Sequence, residues 1–354
     1  MSNIITYGWN KYQSILNNTN QINANETGRI ISIKGIIYTL ATNSGELKAE
    51  LTGQLLYTLS KEELPKVGDW VQFIQYDTSG IILSVLPRFN FLFRKTPGKQ
   101  TNRQLIAANI DCAIIVQGLD NDFNLMRLER YIAQVISCDI KPVVILNKAD
   151  LVESKQKYVT EVQRLQRNIP VYLCSTLTND GIDVLQNELF EPGKTYVFIG
   201  SSGVGKSSLL NAISGIEFRL TNNISGTTGK GKHTTTTRDL FVLPNGSLVI
   251  DTPGMREFGI GFDENSNQEE TFPIISKFAG NCRYTDCKHI REKGCAVVQA
   301  LENGEIEPVV YESYLKLMRE QQHFEKSIHE KRREGKIFGK MAKEAMINRK
   351  KYKY

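Results

Sequence analysis

The hydrophobic pattern of the chain changes near residue 110. Before that point, from Gly28 to Phe93, short apolar runs alternate with turn signals such as "NSG" and "DTSG". Several short strands at this spacing predict a small barrel or sandwich. The length suits a five-stranded OB-like barrel, a fold that often binds nucleic acid. The pattern does not separate this fold from an SH3-like barrel.

The last run of this region, "RFNFLFRK", alternates aromatic residues with Arg88, Asn90 and Arg94. Two interpretations are open. The aromatic rings could form an edge on which nucleic-acid bases stack. Alternatively, the run is an ordinary strand with one buried face.

From Ile110 onward, β-branched apolar runs alternate with helix-like stretches. Runs such as "DCAIIVQ", "KPVVILN" and "KTYVFIG" are typical of buried strands, and "NLMRLERYIAQVIS" is a helix candidate. Strands that alternate with helices predict a mainly parallel sheet with both faces covered. Ligands of such a sheet bind at the carboxyl ends of its strands, which is where the most distinctive residues of the chain fall.

The stretch "GSSGVGKSS" fits the phosphate-binding pattern G-x-x-x-x-G-K-[ST] and lies between an apolar strand and a helical segment. Its glycines let successive backbone N–H groups wrap phosphates, and the helix N-terminus adds its positive end. Lys206 is expected to reach the β- and γ-phosphates, and the Ser207 hydroxyl to bind Mg²⁺. The nucleotide-binding residues predicted in this loop are Gly200, Ser201, Ser202, Gly203, Val204, Gly205, Lys206, Ser207 and Ser208.

Two further segments complete the predicted phosphate side. Asp251 to Gly254, "DTPG", follows the strand "SLVI". Asp251 would hold Mg²⁺, and the Gly254 amide would sense the γ-phosphate. Between the two motifs lies "GTTGKGKHTTTTRD", in which one threonine, preferably Thr235, would complete the Mg²⁺ shell. The alternative is an ordinary loop without this role.

A base-reading motif, "NKAD", comprises Asn147, Lys148, Ala149 and Asp150 and follows the strand "PVVIL". The Asp150 carboxylate would accept hydrogen bonds from guanine N1–H and from its exocyclic amine. Adenine lacks this pair, and the unsatisfied carboxylate would cost ~1–3 kcal/mol. Ser175 is expected to support the guanine from behind. In most GTPases the base motif follows the phosphate loop, whereas here it precedes it, so the order of motifs predicts a circularly permuted GTPase.

A cluster with the spacing Cys282-x4-Cys287-x-His289-x5-Cys295 follows the GTPase motifs. Three thiolates and one imidazole form a closed tetrahedral set for a structural Zn²⁺. The binding energy of such an ion stabilises a short segment that has little core of its own. The alternative is a group of buried reduced cysteines beside an unrelated histidine.

Composition and charge narrow the class of protein. The chain has 354 residues, of which 40% are hydrophobic and 23% charged, enough for two or three globular domains. We find no apolar run of the roughly 20 residues that cross a bilayer and no secretory signal pattern, so we expect a cytoplasmic protein without a membrane partner. Between residues 311 and 354, 13 Lys and Arg oppose 6 Asp and Glu. This basic tail predicts a polyanionic partner, unless it only aids solubility.

These motifs together resemble the ribosome small-subunit-dependent GTPase (RsgA) family of bacteria over nearly the full length. The resemblance is carried by "NKAD", "GSSGVGKSS", "GKGKHTTT", "DTPGMREFG" and "NCRYTDCKHIREKGCAV". It implies an all-β OB-like RNA-binding barrel over 1–95, a permuted α/β GTPase domain over 96–262, and a small zinc subdomain with a basic helical tail over 263–354. It also implies that the protein binds the maturing small ribosomal subunit and its rRNA, and hydrolyses GTP to GDP and phosphate late in assembly.

One departure from ordinary GTPases concerns hydrolysis. Met255 follows Gly254, where many GTPases carry the glutamine that orients the attacking water. Free turnover should therefore be slow, with a ribosome contact completing the site. The resemblance implies catalytic roles for His233 and Lys206, although a phosphate or RNA contact explains His233 equally well. Gly203 stands where potassium-using GTPases often carry asparagine, so no potassium requirement is indicated.

Two function hypotheses remain from the sequence. In the first, the protein is a GTPase stimulated by ribosomal RNA, and hydrolysis releases it from the subunit. In the second, it is a nucleotide-gated binding module whose slow hydrolysis serves as a timer and whose partner is not the ribosome. Nothing suggests an obligate dimer, so a monomer is expected.

Overall fold

The computed structural model describes residues 4–15, 23–60, 63–95, 103–165, 167–215, 239–251 and 271–319. Within these ranges, no helix is long and apolar enough to span a membrane. The strands are β1 (Thr27–Lys34), β2 (Ile37–Thr42), β3 (Gly45–Leu51), β4 (Trp70–Tyr76), β5 (Ser79–Val85), β6 (Phe91–Lys95), β7 (Arg103–Ala108), β8 (Cys112–Gly118), β9 (Lys141–Asn147), β10 (Val171–Leu173), β11 (Thr195–Ile199), β12 (Asp239–Val242) and β13 (Leu248–Asp251). The helices are α1 (Trp9–Ile15), α2 (Gly53–Thr58), α3 (Leu125–Ser137), α4 (Lys155–Gln163), α5 (Ile182–Glu188), α6 (Lys206–Ser214), α7 (Pro273–Ala279) and α8 (Ala296–Glu302), and residues 308–319 are also helical.

The first five strands form a closed barrel in the order β1-β2-β3-β5-β4, and β4 returns to β1. All neighbours are antiparallel except β3 and β5, which run parallel. This strand order with a parallel β3–β5 contact is the OB arrangement, which decides against the SH3-like alternative. Strand β3 shows how the sequence builds the barrel, since Leu47, Ala49 and Leu51 are buried while the residues between them are exposed.

The second unit is a six-stranded sheet in the order β10-β9-β8-β11-β13-β12. Its strands are parallel except for β12, which pairs antiparallel with β13. All residues of β8 and of β11 are buried, as expected for strands covered on both faces. Helix α3 covers one face through Leu128 and Ile132, while α5 and α6 cover the other through Leu185 and Leu209. The predicted α/β architecture is confirmed.

A buried arginine on β1 joins the barrel to this sheet. The Arg29 guanidinium donates to the carbonyl oxygens of Tyr7 at 2.7 Å and Gly68 at 3.2 Å. On the other side it donates to the Asn109 carbonyl at 3.1 Å and to the Thr195 hydroxyl at 3.0 Å. Burial lowers the pKa of Arg29 to about 10, so it stays cationic at neutral pH. Arg29 thereby connects the barrel to the first residue of β11.

The "RFNFLFRK" run contains strand β6 over residues 91–95, and the residues before the strand make buried contacts. Strand β6 pairs with β7 as a hairpin, and Phe93 is buried within it. Arg88 donates to both carboxylate oxygens of Asp69, at 2.8 and 2.7 Å, and the Asn90 amide donates to the Ile110 carbonyl at 2.7 Å. These contacts agree with the buried-strand interpretation. The predicted domain boundary between residues 95 and 96 falls between the two strands of this hairpin, and the domain bounds remain a prediction.

The last described region packs against α3. Helices α7, α8 and the helical residues 308–319 share an apolar cluster that includes Ile275, Val297 and Tyr314. Ala133 of α3 belongs to the same cluster. The helix that covers one face of the six-stranded sheet therefore also supports the region that carries the cysteine and histidine residues.

Candidate functional site

The phosphate loop connects β11 to α6 and needs glycine where other segments of the chain approach it. A Cβ atom on Gly200 would lie 2.3 Å from the Val116 carbonyl oxygen. A Cβ atom on Gly205 would lie 2.2 Å from the side-chain nitrogen of Asn147, and its backbone φ of 96° is left-handed. No other residue fits these two positions without displacing its neighbour. The loop therefore has the strand–glycine–helix context that the motif requires.

Lys206 lies across this loop. Its ammonium group donates to the carbonyl oxygens of Gly200 at 2.7 Å and Ser201 at 2.6 Å. Burial lowers the pKa of Lys206 to about 8, and the nearby Asp251 carboxylate opposes this shift. Phosphate oxygens are stronger acceptors than these carbonyls because they are charged. The Lys206 ammonium group can therefore exchange its two neutral carbonyl acceptors for charged phosphate oxygens.

Asn147 brings the base motif and the phosphate loop together. It is fully buried, and its side-chain amide donates to the Val204 carbonyl at 2.9 Å. Its side-chain oxygen accepts from the Thr176 backbone N–H at 3.3 Å and from the Cys174 thiol at 3.5 Å. One amide thus links the carboxyl ends of β9, β10 and β11, although their residues are far apart in the sequence.

Asp150 and Ser175, the two predicted base-binding residues, are in direct contact. The buried Ser175 hydroxyl donates to Asp150 Oδ1 at 2.5 Å, and its oxygen accepts from the backbone N–H groups of Leu177 and Thr178, both at 3.2 Å. Asp150 itself is exposed, so its carboxylate faces solvent at the edge of the sheet. The serine fixes the orientation of the carboxylate at the point where a base would bind.

Asp120 is a further member of this group, and no sequence motif marks it. The Lys148 ammonium donates to Asp120 Oδ2 at 2.5 Å, and Lys148 has a left-handed backbone with φ of 62°. Burial acts to raise the pKa of Asp120, but the Lys148 hydrogen bond and charge, with a backbone N–H, lower it overall. The aspartate follows β8 and holds the motif lysine, a contact between loops that only the folded sheet creates.

The remaining phosphate-side predictions divide into two groups. Ser207 is exposed in the first turn of α6, and Asp251 ends β13, opposite Asp239 of β12. The other predicted residues lie outside the described ranges, namely His233, Thr235, Gly254 and Met255. The structure places phosphate loop, Asp251 and base motif at the carboxyl edge of one sheet.

Cys282, Cys287, His289 and Cys295 form the metal-ligand cluster that their spacing predicts. The sulfur atoms of Cys282 and Cys295 are 3.8 Å apart, and His289 Nδ1 lies 3.4 and 3.5 Å from them. All four ligand atoms lie within 4.8 Å of one another. A tetrahedral ion with bonds of about 2.3 Å to sulfur and about 2.0 Å to nitrogen requires separations of about 3.8 Å and about 3.5 Å. The distances among Cys282, His289 and Cys295 match these values, and the Cys287 sulfur lies within 4.8 Å of the other ligand atoms, so the four residues could hold a tetrahedral metal.

The loop around the cluster is held by its own hydrogen bonds. The Cys295 sulfur caps the N-terminus of α8, and the His289 carbonyl accepts from the Tyr311 hydroxyl at 2.7 Å. The Glu292 carboxylate accepts backbone N–H groups from residues 288, 290 and 291, at 3.0, 2.8 and 3.1 Å. A hydrogen bond from the backbone N–H of Glu292 itself, together with these three, lowers the pKa of Glu292 to about 2. The carboxylate therefore orders the turn between Cys287 and Cys295, the second and fourth residues of the cluster.

The sheet and its motifs define a P-loop GTPase of permuted sequence. The spatial strand order, β12-β13-β11-β8-β9-β10, places the phosphate loop, Asp251 and the base motif where a GTPase sheet requires them. Along the chain, however, the first strand of this sheet is β8, so the base motif comes before the phosphate loop. A model of the RsgA GTPase family matches residues 85–261. With the relatives described next, this match shows that the chain belongs to the RsgA GTPase family. The predicted GTP hydrolase activity and circular permutation are confirmed.

Relatives match over most of the chain. Small ribosomal subunit biogenesis GTPase RsgA 1 of Bacteroides thetaiotaomicron is 44% identical over 344 residues, which cover 97% of this chain and 96% of that protein. Small ribosomal subunit biogenesis GTPase RsgA of Syntrophotalea carbinolica is 42% identical over 296 residues, 81% of each chain. Among solved structures, YjeQ from Thermotoga maritima aligns with a TM-score of 0.64 and 29% identity, covering 83% of this chain and 98% of that one. YloQ, described as a circularly permuted GTPase, aligns with a TM-score of 0.59 and 28% identity over 84% and 95% of the two chains.

Proposed function

We propose that the protein binds the small ribosomal subunit and hydrolyses GTP there during biogenesis of the subunit. The observation that carries this proposal is the contact of Asn147 with Val204, which joins a guanine motif to a phosphate loop in one permuted sheet. The partner is supported by the Bacteroides relative, whose name states this role and whose similarity extends over 97% of this chain. That coverage takes in the barrel and the metal cluster as well as the GTPase.

The nucleotide would be held from two sides. Asp150, oriented by Ser175, would accept the two guanine donors, and Asn147 would keep this loop against the phosphate loop. Lys206 would bind the β- and γ-phosphates, together with the backbone N–H groups of the loop. Bound Mg²⁺ would neutralise charge that develops on the phosphates. The residues proposed to hold it are Ser207, Thr235 and Asp251, with Gly254 proposed as the γ-phosphate sensor.

The attacking water needs an orienting group that Met255 does not supply. We assign this role to His233 or to a contact from the ribosome, which would make turnover dependent on the subunit. The Cys282, Cys287, His289 and Cys295 cluster would hold one structural Zn²⁺, since thiolate and imidazole are the ligands zinc favours.

The barrel and the basic segment 311–354 would contact rRNA. Each phosphate contact made by a Lys or Arg releases counterions, so binding to the subunit should weaken steeply as salt increases. We expect a monomer that acts in the cytoplasm. Charge reversal within the basic segment should abolish subunit binding. Under the alternative of a non-ribosomal partner, the same change would leave binding to that partner intact.

The test is GTP turnover by the purified protein, measured alone, with small subunits and with large subunits. ATP serves as the nucleotide control. We expect stimulation by small subunits only and with GTP only. A protein that binds GTP but is not stimulated by small subunits would contradict the proposal and favour the timer module.

A further inference from the structure

Strand β1 belongs to two parts of the molecule, and it changes partner within a few residues. Its residues 27–29 pair with β4 and close the barrel. The register of β1 against β2 then shifts between Ile30 and Ser32, which marks a β-bulge. Past the bulge, Ser32 pairs with Asp239, the first residue of β12 in the GTPase sheet. Bulges bend a strand and redirect its side chains, so this bulge turns β1 from the barrel toward the GTPase.

A side-chain hydrogen bond accompanies this pairing. Ser32 Oγ donates to Asp239 Oδ1 at 2.5 Å, and both residues are half-buried. Asp239 in turn lies directly opposite Asp251 in the antiparallel ladder of β12 and β13. Ser32 is therefore one hydrogen bond and one cross-strand pair away from the carboxylate that the proposed function assigns to Mg²⁺.

The pairing of Asp239 with Asp251 places two carboxylates opposite each other, and the Lys206 ammonium lies near Asp251. Side chains directly opposite on an antiparallel pair share one face, with Cβ atoms about 4.5–5.5 Å apart, and like charges there repel. The Ser32 hydroxyl draws the Asp239 carboxylate toward the barrel and offsets part of its charge. The Arg29 bonds to Asn109 and Thr195 fix β1 against the GTPase sheet, so the hydroxyl acts from a rigid position.

We infer that Ser32 of the barrel is a positioning residue of the GTPase site. By holding Asp239 away, it leaves Asp251 in the orientation that binds Mg²⁺. The inference rests on the proposed function, in which Asp251 is a magnesium ligand. It makes the barrel part of the structure that sets nucleotide turnover, in addition to any contact with RNA.

The experiment is a Mg²⁺ titration of GTP turnover by the full-length protein carrying Ser32→Ala. Once Asp239 is released, repulsion displaces Asp251, and we expect the half-saturating Mg²⁺ concentration to rise about three- to tenfold. Saturating Mg²⁺ should restore most of kcat, and GDP affinity in the presence of a chelator should not change. Ser32→Thr keeps the hydroxyl and should behave as the unaltered protein. Ser84→Ala is the matched control, because the Ser84 hydroxyl bonds Gln72 within the barrel at 2.9 Å.

A second variant separates positioning from folding. Asp239→Asn removes the repelling charge, so Ser32→Ala should add nothing to the Mg²⁺ requirement of Asp239→Asn. The inference is overturned if Ser32→Ala and Ser84→Ala have the same Mg²⁺ requirement. It is also overturned if Ser32→Ala lowers kcat by the same factor at every Mg²⁺ concentration. Absence of Mg²⁺-dependent GTP turnover by the unaltered protein in the presence of small ribosomal subunits would instead contradict the proposed function.

Discussion

The buried ion pair of Glu129 and Arg167 attaches the region that carries the cysteine and histidine cluster to the GTPase domain, and its removal can be tested. The two side chains are 0% and 3% exposed, respectively. Arg167 Nε donates to Glu129 Oε1 at 3.0 Å, another guanidinium nitrogen donates to the same oxygen, and a third donates to the Thr271 carbonyl. The guanidinium also lies 4.5 Å from the centre of the Phe272 ring, at the start of α7. We consider Arg167→Met, which keeps an unbranched apolar stem and removes the guanidinium with its charge.

Without Arg167, the Glu129 carboxyl group must fold either as an unpaired buried anion or as a neutral acid. Leaving one partner of a buried pair alone costs ~3–5 kcal/mol. Protonating a carboxyl of ordinary pKa about 4.3 at pH 7.3 costs about 4 kcal/mol, because each pKa unit is about 1.4 kcal/mol. Both routes agree, so Arg167→Met should lower the free energy of unfolding by about 4 kcal/mol at pH 7.3.

The same ion pair determines how the stability loss of Arg167→Met depends on pH. Burial raises the pKa of Glu129, and the Arg167 charge opposes that shift, so removing Arg167 raises the pKa further. A carboxyl whose pKa is raised by folding is most favourable at low pH, and it loses stability as pH increases above its ordinary pKa. At pH 5.3 protonation costs only about 1.4 kcal/mol, and the defect of Arg167→Met should shrink accordingly.

The assay is urea unfolding followed by circular dichroism at both pH values. Arg164→Met is the matched control, because Arg164 pairs with Glu307 of the same region at 3.2 Å but is half exposed. The control should change little at either pH. Glu129→Gln combined with Arg167→Met should recover part of the loss, since no buried anion remains. A loss for Arg167→Met that equals the control, or that does not vary with pH, would refute the reasoning.

Three further expectations follow from the site. Lys206→Met should lower subunit-stimulated phosphate release at least ~100-fold. In the unaltered protein, GDP affinity should decline between about pH 7 and 9, because Lys206 has a pKa of about 8 and binds phosphate when protonated. The Lys206→Met variant should not show this decline. Asp150→Asn should weaken GDP binding ~10- to 100-fold in calorimetry and leave weak ATP binding unchanged; equal loss for both nucleotides would contradict the guanine contact. Cys295→Ser should reduce the zinc content measured by mass spectrometry below one ion per chain and loosen α8, which Cys295 caps; full zinc occupancy would exclude Cys295 as a ligand.

Local motifs account for most of what the sequence predicts correctly. The phosphate loop, the base motif and the Cys/His spacing each lie within a short segment, and the apolar strands before them place them at one sheet edge. The choice between OB-like and SH3-like barrels depends on the parallel β3–β5 pairing, which no local pattern encodes. The sequence does not show whether Arg88 and Asn90 face a ligand or the protein interior, because their partners Asp69 and Ile110 lie elsewhere in the chain.

The residues that the sequence does not reveal are those whose partners are distant. Asp120 binds Lys148 between two loops of the sheet. Arg29 reaches Thr195 across 166 residues of sequence, and its burial beside carbonyl oxygens has no signature in a strand of ordinary composition. Such contacts depend on the folding of the chain, so they become visible only in the structure.

The pairing of β1 with β12 also has a consequence for synthesis of the chain. Ser32 and Asp239 are separated by 207 residues. At about 5–20 residues per second, a ribosome needs roughly 10–40 s to make the second strand after the first. During that time the barrel can close through β4, but β1 beyond its bulge has an open edge, and open edges pair readily with other chains. We therefore expect truncated products that end before β12 to aggregate through the barrel, although every strand of the barrel is present.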